Sequence, residues 1–128
     1  MKLLLDTHAS IWFVEQDPAL PDQMRRLIES DGTQVYVSAA SIWEIAIKVG
    51  KGKLKLLLSL DEIVSNMRLY GFLELPIAAN DLLYVYSLPQ HHHDPFDRAL
   101  VAQAKAHGLL LVSRDPLLRR YDVDCMWD

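Results

Sequence analysis

The sequence has only one cysteine among its 128 residues. Cys125 has no partner within the chain, which excludes an intramolecular disulfide and a zinc site built from several cysteines. Long apolar runs are missing as well, because stretches such as LLLV at 109–112 are far shorter than the roughly 20 residues that cross a bilayer. No basic segment leads into an apolar core, so we expect no signal peptide, a cytoplasmic location and no membrane partner. Repeats and linkers are also absent, and the length predicts a single domain over 1–128.

The composition is that of a folded protein, with 51% hydrophobic and 23% charged residues. A formal net charge of −4 argues at first against a nucleic-acid partner. The distribution of charge weakens that argument, because residues 48–55 carry four lysines and no acid, and Arg114, Arg119 and Arg120 form a second basic group. These groups can face a polyanion if the acids collect in one pocket, although ordinary solvated charges explain them equally well.

Strand and helix patterns alternate along the chain. The apolar run at 2–6 predicts a strand buried on both faces, as in a parallel sheet. Further strands are predicted at 35–38, 72–76, 109–112 and 123–127. Helices are predicted at 9–16, 21–30, 39–49 (with Gly50 as its C-terminal cap), 59–71, 78–88 and 95–107. This order predicts a three-layer α/β sandwich with a mainly parallel sheet of four or five strands and right-handed crossovers.

Four acids from separate segments fall where such a sheet binds its ligands. Asp6 ends the first strand, Glu44 lies in the helix after the second, Asp97 lies in the first turn of the last helix, and Asp115 follows the fourth strand. Because ligands bind beyond the carboxyl ends of the strands, we expect these side chains to converge. Converging carboxylates raise one another's pKa unless a cation neutralises them, and hard oxygen ligands suit Mg²⁺ or Mn²⁺. This arrangement favours phosphodiester hydrolysis, with the metal activating a water.

Two of these acids also have a structural interpretation. Asp6 could cap the following helix, although its neighbour Thr7 could do so instead. Glu44 lies three residues after Ser41, which is a capping-box spacing. It also lies four residues before Lys48, which suits an exposed ion pair. Taken alone, Glu44 is more often structural than functional.

The segment DPFD at 94–97 separates the roles of two neighbouring acids. Asp94 is predicted at the N-cap of the helix and Pro95 at its first position, so Asp94 has a sufficient structural role. Asp97 lies one turn in, where it could complement the helix dipole, and it is the freer of the two to bind a metal. Asp115 precedes a proline, and an aspartate in such a turn commonly bonds its own backbone.

Three consecutive histidines, at 91–93, precede that segment in a predicted loop. Three neighbours cannot all turn toward one ion without a contorted backbone, and His8 and His107 are the only other imidazoles. We therefore favour solvent-exposed loop histidines over a zinc site, and expect the carboxylates to carry the chemistry.

The acids, with the residues around them, resemble the motifs of the PIN-domain ribonucleases, and more narrowly of the VapC-type toxins of bacterial and archaeal toxin–antitoxin pairs. LLLDTH at 3–8 is similar to the first motif of the family and SAASIWEIAIKVGKGKL at 38–54 to the second. HDPFDRALVAQA at 93–104 resembles the third motif and LLLVSRD at 109–115 the last. Any one of these motifs is weak evidence alone, but four in order over the whole chain are specific. The resemblance implies a PIN-like fold.

The resemblance also implies a Mg²⁺- or Mn²⁺-dependent endoribonuclease without a catalytic histidine. Asp6, Glu44 and Asp97 would hold the metal directly or through water. Asp115 would complete the acidic pocket or bind a second ion, and Asp94 would flank the site. The expected substrate is a structured RNA or a messenger RNA.

Residues beside these acids acquire supporting roles from the same resemblance. Thr7 and Ser113 would orient a water or a phosphate. Arg98 and Arg114 would contact RNA, although Arg98 could instead pair with Asp94 at the surface. The implied partners are a second copy of the chain, in a homodimer, and a cognate VapB-type antitoxin that covers the site. An acidic pocket suits a partner that brings a lysine or an arginine.

Other readings are less well supported. A haloacid-dehalogenase-type phosphotransferase needs a second aspartate two residues after Asp6, where this chain has His8. A response-regulator receiver needs a lysine after a late strand, where the chain has Arg114. A catalytically silent PIN-like module that binds RNA or protein is the remaining alternative, and the intact set of acids argues against it.

Apolar helix faces and tryptophans are expected in the core. Segments such as IWEIAI at 42–47 and LLYVYSL at 82–88 could serve a dimer or an antitoxin groove, but such faces first of all form core. Trp12, Trp43 and Trp127 are interpreted as packing residues, because basic residues do not alternate with them.

Overall fold

Five parallel strands form the sheet in the computed structural model, which describes residues 1–128. They are β1 (Lys2–Leu5), β2 (Gln34–Ser38), β3 (Leu73–Leu75), β4 (Leu110–Val112) and β5 (Cys125–Met126). Their spatial order is β3-β2-β1-β4-β5, and every neighbouring pair is parallel. The predicted α/β class with a parallel sheet is confirmed.

Six α-helices connect or follow these strands. They are α1 (Thr7–Val14), α2 (Asp22–Glu29), α3 (Ala39–Gly50), α4 (Leu60–Leu69), α5 (Ala79–Ser87) and α6 (Pro95–His107), with a short 3-10 helix at Pro116–Arg120. The chain builds the sheet outward from β1 to β3 and then crosses back to place β4 on the other side of β1. The strand order therefore reverses between β1 and β4, which is the position where open α/β sheets bind ligands.

The central strand β1 divides the core into two clusters. Leu3 and Leu5 face one cluster, which α1, α2 and α4 cover, and Leu4 faces the other, which α6 covers. All three leucines are fully buried because alternate side chains of a strand point to opposite faces. Each such leucine contributes roughly 1.5–3 kcal/mol by leaving water. The apolar run at the start of the chain is thus continuous because helices cover both faces of this strand.

Two local predictions are wrong. Gly50 does not cap α3, since it is the last residue of the helix and Lys51 is the C-cap, and the left-handed backbone comes later, at Gly52 with φ of 70°. The apolar face of α5 is not core either. Leu83 and Tyr86 on that helix are 66% and 91% exposed, and its only buried residue is an aspartate. None of the helices combines the length and the apolar character needed to span a membrane.

Leu4 provides a test of this packing. We expect Leu4→Ala to lower the free energy of unfolding by about 2–5 kcal/mol, because it leaves a cavity on one face of the central strand. Urea denaturation followed by circular dichroism measures this. Leu57→Ala is the control, since Leu57 is 81% exposed and its loss should cost less than about 0.5 kcal/mol. Equal effects of the two substitutions would contradict the two-cluster core.

Candidate active site

Five carboxylates line one cavity of about 370 Å³ at the carboxyl edge of the sheet. They come from the end of β1 (Asp6), from α3 (Glu44), from the start of α6 (Asp94 and Asp97) and from the loop after β4 (Asp115). The remaining lining residues are His8, Trp12, Lys48, Arg114 and Pro116. The four acids that the sequence predicts to converge lie together.

Asp6 joins the sheet to α1. Its Oδ1 accepts the Ala9 N–H at 2.8 Å, so Asp6 caps the helix and lines the cavity at the same time. Burial raises the pKa of Asp6 above its ordinary value, and hydrogen bonds from Ser113 and Ala9 offset that rise only in part. Asp6 therefore has both the structural role and the site position that the sequence allows.

Glu44 is buried, and both of its oxygens have partners. The Thr7 hydroxyl donates to Oε1 at 2.6 Å, and the Lys48 ammonium pairs with Oε2. This ion pair raises the pKa of Lys48 and is not the exposed pair that the spacing suggests. The capping-box interpretation is also wrong, because α3 is capped by Ser38 and not by Ser41.

The start of α6 has the predicted arrangement. Asp94 is the N-cap, with Oδ1 accepting the N–H groups of Phe96 at 2.8 Å and Asp97 at 3.0 Å, and Pro95 follows at the first helical position. Asp97 thus has its backbone fixed while its carboxylate points into the cavity. Burial, and next the charges of Asp94 and Glu44, raise the pKa of Asp97 to about 7.

Asp115 is held from three sides after β4. Its backbone N–H donates to the Ser113 hydroxyl at 3.1 Å, and its Oδ1 accepts the Leu117 N–H at 2.9 Å. Its Oδ2 lies 2.8 Å from the His92 Nε2. The predicted turn and the position in the acidic cavity are compatible, because the turn uses only one of the two carboxylate oxygens.

His92 belongs to the site, contrary to the expectation that the three loop histidines face solvent. Its side chain is only 14% exposed, and its Nε2 also lies 3.1 Å from Asp97 Oδ2. His92, Asp97 and Asp115 are close enough together to share one ion. Only His93 is exposed as expected, and His91 is half-buried beside the Tyr121 ring. Sequence spacing could not select which of three adjacent histidines turns inward.

The two arginines predicted to contact RNA lie in different environments. Arg98 is buried, and its guanidinium donates to the Val85 and Pro89 carbonyls at 3.1 and 2.8 Å and to the Tyr121 hydroxyl at 3.2 Å. A surface position for Arg98 is therefore wrong, and so is its pairing with Asp94. Arg114 is exposed at the cavity, with its guanidinium carbon 4.7 Å from the centre of the Trp12 ring.

The donor set fits a small divalent cation. Five carboxylates line the cavity against two cationic side chains, Lys48 and Arg114. Burial, followed for Asp97 by the charges of neighbouring acids, raises the pKa values of Asp6 and Asp97, and a bound cation would offset this cost. Hard oxygen ligands of this kind match Mg²⁺ or Mn²⁺ better than softer metals.

Comparison with known families identifies the fold. Residues 3–124 match the model of the PIN domain. The chain belongs to the PIN-domain family. This assignment excludes the dehalogenase-type and receiver readings, and no curated protein matches the sequence significantly.

Solved structures share this PIN fold at low sequence identity. VapBC2 from Rickettsia felis, bound to a DNA fragment from its promoter, contains a chain that superposes with a TM-score of 0.70 at 17% identity, with 100% of both chains covered. A chain of FitAB bound to the IR36 DNA fragment superposes with a TM-score of 0.63 at 22% identity, and the match covers 100% of this PIN domain and 96% of that chain. A chain of FitAcB from Neisseria gonorrhoeae superposes with a TM-score of 0.58 at 24% identity, and the match covers 98% of this PIN domain and 96% of that chain.

Asp97 makes the stability of the metal-free protein depend on pH. Its folded-state pKa of about 7 lies above the ordinary 3.8, so the folded state binds this proton more tightly than the unfolded state. Stability therefore falls as the pH rises from about 4 to about 7 and stays lower above that range. We expect Asp97→Asn to stabilise the protein in EDTA at pH 8, by on the order of 2–4 kcal/mol, with a smaller gain at pH 4.5.

Chemical denaturation of both proteins at the two pH values measures this difference. Asp122→Asn is the matched control, because Asp122 is an almost fully exposed carboxylate that does not line the cavity. A stabilisation by Asp97→Asn that is the same at both pH values would contradict the raised pKa.

Proposed function

We propose that this PIN domain is a Mg²⁺- or Mn²⁺-dependent endoribonuclease that acts as the toxin of a VapBC-type toxin–antitoxin pair. The convergence of Asp6, Glu44, Asp97 and Asp115 in one cavity carries the proposal. Four carboxylates from four segments, two of them with raised pKa values, are costly to assemble unless a cation neutralises them. The resemblance of the motifs to the VapC-type toxins supports the choice of RNA as substrate.

Asp6, Glu44 and Asp97 would hold the metal, and Asp115 would complete the pocket or take a second ion. A divalent cation here supplies an activated water and offsets the negative charge that develops on the phosphate. Both Asp6 and Asp115 have Oδ1 bonded to a backbone N–H, which restricts the orientation of each carboxylate at the cavity wall. Carboxylate ligands that are already oriented lower the free-energy cost of organising the site when substrate binds.

Thr7 and Lys48 prepare Glu44 for this task. The Thr7 hydroxyl fixes one carboxylate oxygen from inside the protein. The Lys48 ammonium neutralises the other oxygen while no metal is bound, and it is one-third exposed on the cavity wall. A bound cation would also neutralise Glu44, which would leave Lys48 available to contact a substrate phosphate. Because the pKa of Asp97 is raised to about 7, a protonated Asp97 would compete with the metal, and binding would be weaker at low pH.

An aromatic and basic rim beside the acids suits a single-stranded nucleic acid. Trp43, adjacent to Glu44 in α3, is 59% exposed and contacts the Phe96 ring edge-on, with ring centres 5.1 Å apart. This exposure differs from the packing role expected from the sequence. Arg114 on Trp12 provides a second planar surface at the cavity. Bases stack on such surfaces while the cations contact the phosphates.

The proposed partners are a cognate antitoxin and a second copy of the chain. VapBC2 from Rickettsia felis, and a toxin–antitoxin complex from Klebsiella pneumoniae with a chain that superposes at a TM-score of 0.56 and 18% identity, support the antitoxin partner. A lysine or arginine from the antitoxin would find complementary charge in the cavity. The exposed leucines and tyrosines of α5 form an apolar face that supports the second.

Cleavage of cellular RNA tests the proposed activity. We expect antitoxin-free protein to cut total RNA into discrete fragments in Mg²⁺ or Mn²⁺ and to be inactive in EDTA. Asp97→Asn should lower the rate by about 100-fold or more, since even the loss of a group that only orients a metal ligand lowers activity roughly 10- to 100-fold. Gel analysis and end mapping of the fragments measure this.

Asp122→Asn should cleave like the wild type, which separates the loss of a cavity acid from the loss of any acid. A folded wild-type protein that cuts no RNA in either metal would contradict the proposal. It would favour a catalytically silent PIN module that binds RNA or protein.

Trp43 provides a separate test of the rim. In the Asp97→Asn background, which slows cleavage, and in EDTA, Trp43→Ala should weaken binding of a fluorescent single-stranded RNA by about 1–3 kcal/mol. Fluorescence anisotropy measures the change in Kd. Leu69→Ala is the control, because Leu69 is also a large exposed apolar residue, on α4. An unchanged Kd for Trp43→Ala would remove Trp43 from the RNA surface.

A further inference from the structure

His92 is held by hydrogen bonds at both ring nitrogens. Its Nδ1 accepts the backbone N–H of Asp94 at 3.0 Å. On the other side of the ring, its Nε2 lies 2.8 Å from Asp115 Oδ2 and 3.1 Å from Asp97 Oδ2. The ring thus lies between the N-cap of α6 and two acids of the cavity.

The bond from Asp94 fixes where the imidazole carries its proton. A backbone N–H can only donate, so the Nδ1 of His92 presents a lone pair and carries no hydrogen. A neutral imidazole must then carry its single proton on Nε2, where two carboxylate oxygens are placed to receive it. A metal ligand would need a free lone pair on that same Nε2. The tautomer therefore excludes His92 as a metal ligand in this orientation, although it lies within reach of an ion shared with Asp97 and Asp115.

We propose that His92 is a positioning residue of the active site, whose Nε2–H holds Asp115 against Asp97 and so sets the spacing of two metal-binding carboxylates. The inference rests on the proposed metal-dependent function and adds to it a residue outside the four acids. Asp97 lies in the first turn of α6 and Asp115 follows β4, and the His92 ring connects them directly.

Buried groups anchor the histidine from behind. The His92 backbone N–H donates to the Tyr121 hydroxyl at 2.9 Å, and that hydroxyl also accepts from Arg98 at 3.2 Å. Arg98 in turn donates to the carbonyls of Val85 and Pro89, which brings the chain after α5 into position. This network gives the inward-pointing Arg98 a role, namely to fix the loop that carries His92.

The hydrogen bond from His92 orients Asp115 more than it orients Asp97. Its side chain is 33% exposed, and the backbone bond from Leu117 engages only Oδ1. Without the Nε2–H donor, Oδ2 would be free to turn toward water. Removal of a group that orients a metal ligand typically costs roughly 10- to 100-fold in metal affinity, and we expect a loss of that size here.

Mn²⁺ binding measured by electron paramagnetic resonance tests the proposal without any nuclease assay. His92→Phe should weaken Mn²⁺ binding by about 10- to 100-fold. His92→Gln should restore affinity to within about threefold of the wild type, because the glutamine amide N–H can reach the same carboxylates. His93→Phe, at the adjacent exposed residue, should bind Mn²⁺ like the wild type.

Two spectra of the wild-type protein test the tautomer directly, and a variant is used only to assign a nitrogen signal to His92. The ¹⁵N shifts of His92 should report a proton on Nε2 both with Mg²⁺ and without it. Electron spin echo modulation of the bound Mn²⁺ should lack the ¹⁴N coupling of a coordinated imidazole. A clear ¹⁴N coupling that disappears in His92→Gln would overturn the proposal and make His92 a ligand.

The two proposals fail in different ways. Wild-type protein that binds no Mn²⁺ would overturn both the metal-dependent function and the role of His92. Wild-type protein that binds Mn²⁺ and cuts RNA, together with a folded His92→Phe variant of unchanged affinity, would overturn the role of His92 alone.

Discussion

The crowding of carboxylates in one partly buried cavity is the constraint on which the rest of this structure depends. Five acids share one cavity, and the protein offers them few neutralising groups. It meets the cost partly with the Lys48 ammonium on Glu44 and partly by retaining a proton near neutral pH on Asp97. Backbone N–H groups at helix starts supply the remaining stabilisation.

The parts of the fold that depend on local sequence could be predicted. Asp94 and Pro95 define the start of α6 because an N-cap oxygen and a missing N–H act within one helical turn. The run of leucines in β1 identifies a central parallel strand, since helices cover both of its faces. The convergence of the acids follows from the same logic, because the ends of parallel strands meet at one edge.

What the sequence could not provide is the direction of side chains set by distant segments. Arg98 turns inward because carbonyls after α5 and the Tyr121 hydroxyl, 23 residues away, surround it. His92 turns inward because Asp115 is brought beside it by the strand order. The face of α5 remains exposed although its composition resembles core, since α6 contacts only one side of it. Periodicity reports that a face is apolar, and not what covers it.

The double use of three acids affects how the activity could be lost over evolution. Asp6, Asp94 and Asp115 each begin a helical segment, so replacing one of them by alanine costs a cap, typically about 0.5–2 kcal/mol. Asp97 caps nothing, and its charge is unfavourable while no metal is bound. If selection for cleavage were lost, substitution of Asp97 would therefore destabilise the fold less than substitution of the three helix-capping acids. Asp97 is thus an acid whose loss would remove a metal-binding carboxylate without removing a helix cap.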